Sequence, residues 1–282
     1  MGIDLGPILA ATVAVRDLDR AAGAYRALLG HEELAAGTDQ GGRWLVMGPP
    51  GARWGLVRLV ERAGAARPAT FSTLGWTALE ILVADADATY ERCLAVEGFQ
   101  VLQRPAGVGG GGALRALQVA GPGGEGIYLT QVVTPSERFD LPSLAAGEHR
   151  VYVVVVGTHD VEATRGFFES GFGAPMVTDH GLPVRVLNQA YELPADTLHR
   201  ISTVQLAGST VIEIDEYPSA AGIRPPGSTG ITSVTLAGSR PEAGSLRPLP
   251  VRAEPPYWGA SAWALSGPFR LRLEVVATER HV

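Results

Sequence analysis

The sequence predicts an α+β fold built from one β-α-β pattern written more than once. Three observations carry that prediction. Residues 11–31, ATVAVRDLDRAAGAYRALLGH, and 152–174, YVVVVGTHDVEATRGFFESGFGA, read alike: apolar strand, acidic turn, short helix with an aromatic in its second half, glycine. A weaker copy, WTALEILVADADATYERCLAVEG, starts at Trp76. A fourth strand of the same kind, GITSVTLAG, starts at Gly230. Self-similarity at this spacing is the mark of tandem modules, and it points to a site where modules face each other.

The elements follow in order. The first unit opens with a strand over Leu9–Val15 and a helix over Leu18–Leu29, capped by Asp17 and closed by Gly30. RWLVMG and GLVRLVER are strands separated by the PPGA turn. The second unit gives TALEILV, a helix over Ala86–Val96, then FQVLQRP, LRALQVAG and GIYLTQVV. TPSERFDLPSLAAGE has loop composition, so the chain divides into 1–135, a linker at 136–147, and 148–282. The third unit gives RVYVVVV, a helix over Val161–Glu169, then VRVLNQAYEL, HRISTVQLAG and STVIEIDEYP, with AGST as the last hairpin turn. The fourth keeps GITSVTLAG and FRLRLEVV, but the prolines of the segment between them allow at most a short helix. GVGGGGA at 107–113 lacks the Lys-Ser/Thr of a phosphate loop and reads as a flexible connection.

Composition narrows the function classes. The chain has 282 residues, 46% hydrophobic and 18% charged, with a net charge of −6. That describes two well-packed domains and gives nucleic acid no cationic surface. All 23 basic residues are arginine, which with abundant Ala, Gly and Pro reads as the imprint of a GC-rich bacterial genome. The single cysteine, Cys93, lies in a helix pattern and reads as a buried, inert thiol. No apolar run reaches the roughly 20 residues of a membrane span. The N-terminus reads as a first strand and not as a signal peptide, so a cytoplasmic protein is expected.

The strand–acidic turn–helix–glycine signature resembles the vicinal oxygen chelate superfamily, which includes glyoxalase I, extradiol dioxygenases and bleomycin-resistance proteins. The resemblance spans nearly all of the chain outside the linker. Its most specific stretch is ELPADTLHRISTVQLAGSTVIEIDEYP with the following RPPGSTGITSVTL. It implies four βαβββ modules paired into two glyoxalase-like domains, the fourth module reshaped. Each pair would curl into a cup, the first module with the second and the third with the fourth. The superfamily's usual chemistry uses a divalent metal held on the first and last strands of paired modules.

Counting from the helix aromatics places the first-strand ligand positions at Ala10, Ala78, Val153 and Ser233. The last-strand positions are Arg58, Tyr128, Glu213 and Glu274. No histidine occupies any of them. In an N-terminal cup, Glu80 shares a face with Ala78, and an ion pair with Arg58 is expected. In a C-terminal cup, Glu213, Asp215 and Tyr217 alternate onto one face, as do Arg270, Arg272 and Glu274. Across the AGST hairpin, Arg200 and Ser202 are expected to join Asp215 and Glu213. Glu213 and Glu274 are the candidate catalytic residues and the candidate metal ligands. Arg200, Ser202, Asp215, Ser233, Arg272, Arg58, Glu80 and Tyr128 are the candidate ligand-binding residues. Histidines 31, 149, 159, 180, 199 and 281 read as solvated or capping groups, with His180 in a loop.

Three functions remain compatible. The first is metal-independent binding of a small organic molecule, with Trp54, Trp76, Tyr257, Trp258 and Trp263 as aromatic candidates. The second is a divergent lyase, isomerase or dioxygenase, with a divalent metal as an open option. The third is a structural or partner-binding protein whose cups have closed. Pairing of two copies is left open.

Overall fold

The computed structural model describes residues 5–39, 41–108, 112–135, 139–174, 176–239 and 246–277. The first module holds β1 (Leu5–Val15), α1 (Leu18–Leu29), β2 (Glu32–Asp39), β3 (Gly42–Gly48) and β4 (Leu56–Glu61). The second holds β5 (Thr73–Leu82), α2 (Ala86–Ala95), β6 (Gln100–Val108), β7 (Leu114–Ala120) and β8 (Gly126–Val132). A single helical turn, α3 (Leu144–Gly147), lies in the expected linker. The third module holds β9 (Val151–Thr158), α4 (Val161–Phe172), β10 (Met176–Pro183), α5 (Arg185–Ala190), β11 (Leu198–Leu206) and β12 (Thr210–Glu216). After the short β13 (Gly222–Ile223), the fourth gives β14 (Gly230–Gly238), β15 (Arg247–Pro248), β16 (Ala262–Ser266) and β17 (Arg272–Ala277). Among its described residues no α-helix follows β14, so the fourth module is reshaped as its prolines predict.

The repeated acidic turn is a helix cap. Asp17, Asp85 and Asp160 each accept a hydrogen bond at 2.9 Å from the backbone N–H three residues on. Each cap contributes about 1 kcal/mol. The repeated aromatic is a core plug: Tyr25 and Phe168 are fully buried in one apolar cluster that joins both sheets to α1, α2 and α4. Cys93 holds the same helix position and is buried there, where desolvation pushes its thiol up to about 11.

The first and second modules do not share a sheet, and neither do the third and fourth. One eight-stranded sheet runs β15-β16-β17-β14-β1-β4-β3-β2, joining the first module to the fourth. The other runs β10-β11-β12-β9-β5-β8-β7-β6, joining the second to the third. First strands pair antiparallel in both, β1 with β14 and β5 with β9. The expected cups of modules one with two and three with four are therefore corrected to an outer pair and an inner pair. Glu213 and Glu274 consequently lie in different sheets, and so do Glu80 and Arg58.

Two further corrections concern the third module. VRVLNQAYEL forms α5 instead of a strand, and the strand lies earlier, so His180 sits in β10 opposite Ile201. The β11–β12 hairpin closes through Ala207, Gly208 and Ser209, the last two at φ 69 and 58. This loop pairs Thr203 with Glu213 and Ile201 with Asp215. A one-residue change of register turns every side chain to the other face. Arg200 and Ser202 thus leave the cup and meet Asp179 and Glu162 beside α4.

Candidate functional site

The cup of the first and fourth modules carries a half-open cavity of about 740 Å³. One rung across its floor carries Val46, Arg58, Thr12 and Ser233, from β3, β4, β1 and β14. Arg58, Thr12 and Ser233 line the cavity, as do Arg272 and Glu274 of β17. Of the expected site residues, the fold therefore unites Arg58, Ser233, Arg272 and Glu274. Arg270 is displaced from the group by the turn at Pro268–Arg270 and donates to the Arg224 carbonyl at 3.3 Å.

Glu274 is 5% exposed, and its oxygens are engaged. Oε2 accepts from the Tyr257 hydroxyl at 2.7 Å and from Thr235 at 3.2 Å. Oε1 accepts from Nη2 and Nε of Arg272 at 2.9 and 3.2 Å. This carboxylate braces the wall, orienting Tyr257 and Arg272.

Arg58 is in the opposite condition. It is 7% exposed and sits 5.0 Å from the centre of the Trp44 ring. Its described hydrogen bond is a long one, Nη2 to Asp39 at 3.4 Å, and its buried Nε has no partner among the described residues. Burial pulls its pKa down, and nearby Arg252 adds to that effect. Arg252 also approaches Asp39, at 3.9 Å.

The residues at the metal positions of this cup are Ala10, Arg58, Ser233 and Glu274, and they do not fit a divalent cation. Alanine has no donor, a guanidinium is itself a cation, and Glu274 is committed to four hydrogen bonds. Among the described residues, no group of three His, Cys, Asp or Glu side chains is placed to hold a metal.

The cup of the second and third modules is packed shut. Phe71, Leu74, Ala78, Tyr128, Val155, Tyr217 and the α5 residues Val186 and Leu187 form one apolar cluster inside it. α5 is locked by Asn188, the only asparagine in the chain. Its amide donates to the carbonyls of Ala195 and Thr197 at 3.1 and 3.0 Å, and its oxygen meets His199 at 2.7 Å. Under this plug, Glu80 accepts from Tyr152 at 2.7 Å and from Thr130 at 3.3 Å. Burial, then the neighbouring carboxylates, raise Glu213 well above the carboxylate range, and burial brings Asp215 to about 7. A cleft of about 500 Å³ remains outside the plug, between Phe71, Leu102, Val186 and Tyr191.

The histidines lie elsewhere. His199 and His31 are buried, against expectation. His31 donates to the His149 carbonyl at 2.6 Å, and desolvation lowers it to about 4. His159 meets the Pro218 carbonyl at 3.0 Å, and His149 pairs with Glu148 at 3.4 Å. His281 lies outside the described residues. Among the aromatic candidates, Tyr257 lines the cavity, while Trp76 is core and donates to the Arg272 carbonyl at 2.8 Å. Trp54 stacks with Arg150 and Trp258 with Arg53. Sequence reasoning missed Trp44, Asp39, Arg62 and Arg252, all of which line the cavity. RWLVMG carried the signal for Trp44, since Trp44 and Val46 alternate onto one face.

No family model and no curated protein matches the chain. Solved structures do match its fold. Glyoxalase I from Zea mays superposes with a TM-score of 0.66 at 17% identity, covering 96% of this chain and 92% of that one. A protein described as a candidate dioxygenase from Bacillus subtilis superposes with a TM-score of 0.66 at 13% identity, covering 97% and 86%. The chain has the vicinal oxygen chelate fold.

Proposed function

On this fold, we propose that the protein binds a small organic molecule in the cup of its first and fourth modules, without a metal. The observation that carries this reading is the contrast between the cups. One is filled by α5 and its apolar cluster, and the other keeps about 740 Å³ lined by polar and aromatic side chains. That volume lies in the ordinary range for a small-molecule pocket. Ligand positions without donors at Ala10 and with a cation at Arg58 favour binding over the metal chemistry common on this fold.

The test follows the indole N–H resonance of Trp44, assigned by loss in Trp44→Phe, during a screen of small aromatic fragments. Fragments that shift Trp44 in the unaltered chain and cease to do so in Ser233→Trp, where an indole fills the cavity, meet the expectation. A screen in which no fragment moves Trp44 overturns it.

A further inference from the structure

Resting on that reading of the cavity, we infer that its ligand is a small carboxylate, anchored by Arg58. The guanidinium carries five N–H donors in a planar fork and stays charged in proteins. Here it is 93% buried, and its described hydrogen bond is the 3.4 Å contact with Asp39. Asp39 is a poor match: its side chain is 37% exposed, and it is shared with Arg252. Its buried Nε has no partner among the described residues, and a buried charge with an unused donor is costly unless something supplies an acceptor. A carboxylate presents two oxygens at the spacing of a guanidinium edge, which makes it the natural complement.

The surroundings select the ligand's charge. Four arginines line the cavity, Arg58, Arg62, Arg252 and Arg272, against three carboxylates, Asp39, Glu254 and Glu274. Arg272 and Glu274 satisfy each other at 2.9 Å, leaving one cation in excess. One surplus positive charge matches a monoanion better than a phosphate dianion. The hydroxyl residues Thr12 and Ser233, on the same rung as Arg58, add short polar groups beside it. Trp44 and Tyr257 supply apolar wall for the ligand's body.

The experiment compares naphthoate with naphthamide, its neutral analogue of nearly the same shape, by calorimetry on the full chain. Naphthoate is expected to bind at least about tenfold more tightly, as loss of a charge-assisted pair implies. Arg58→Gln should remove that preference, and Arg58→Lys should restore part of it. Inorganic phosphate should compete weakly. Equal binding of the two probes to the unaltered chain overturns the anchor while leaving the cavity reading intact, and needs no variant to fold. Phosphate competing as strongly as naphthoate itself overturns the choice of carboxylate. Binding of neither probe overturns both the anchor and the cavity reading.

Discussion

The Tyr257 hydroxyl donates to Oε2 of Glu274 across 2.7 Å, joining the segment before β16 to the last strand of the sheet. The carboxylate is thereby held on both oxygens, with Arg272 on the other side. Glu274 lines the cup of the first and fourth modules instead of one shared with Glu213, and its surroundings make it a brace. Tyr257→Phe should cost about 1.5–3 kcal/mol in urea unfolding, the usual loss for a buried hydrogen bond to a charged acceptor. An unchanged midpoint would mean that the segment is held by packing alone.

Asp39 and a bound carboxylate would compete for Arg58. Asp39→Asn should therefore tighten naphthoate about two- to fivefold, in keeping with the small value of a half-exposed ion pair. Naphthamide affinity should stay fixed. Weaker naphthoate binding in this variant would mean that Asp39 orients Arg58 for the ligand.

The inner cup carries a pH dependence of stability. Glu213 and Asp215 hold their protons in the folded chain at a pH where the unfolded chain has lost them, because burial disfavours the charged forms. The contribution of Asp215 should fall as pH rises from about 4, the ordinary carboxylate value, to about 7, and that of Glu213 should continue to fall as pH rises further. Asp215→Asn should flatten that slope and raise stability at pH 8 by on the order of 1 kcal/mol or more. Urea titrations at pH 5 and pH 8 measure both effects. The same slope in both proteins would contradict the assignment.

The α5 plug is predicted to be structural. Leu187 is fully buried in the inner cup, so Leu187→Ala should lower stability by about 2–5 kcal/mol. Naphthoate affinity should not change, since Leu187 does not line the outer cavity. A coupled loss of binding would show that the inner cup shapes the site.

The module and its helices were legible because their signals are local. Asp17, Asp85 and Asp160 cap helices within one turn, and Tyr25 and Phe168 mark the apolar stripe. Module pairing was not legible, because strands such as β1 and β14 meet across more than 200 residues. Arg200 and Ser202 were misplaced by one residue in a hairpin loop, which is enough to reverse a face. Arg58, Ser233 and Glu274 meet on one cup because they occupy repeat positions on paired strands, and Arg272 joins them by alternating onto the face of Glu274. Asp39 and Arg252 were missed because β2 and the segment before β16 lack a strong periodic signal.

The most direct test is a crystal structure of the unaltered chain soaked with naphthoate. The account predicts density in the cup of the first and fourth modules, its carboxylate on Arg58 between Trp44 and Ser233. Density in the inner cup beside Glu213, or an empty outer cup at saturating naphthoate, would contradict it.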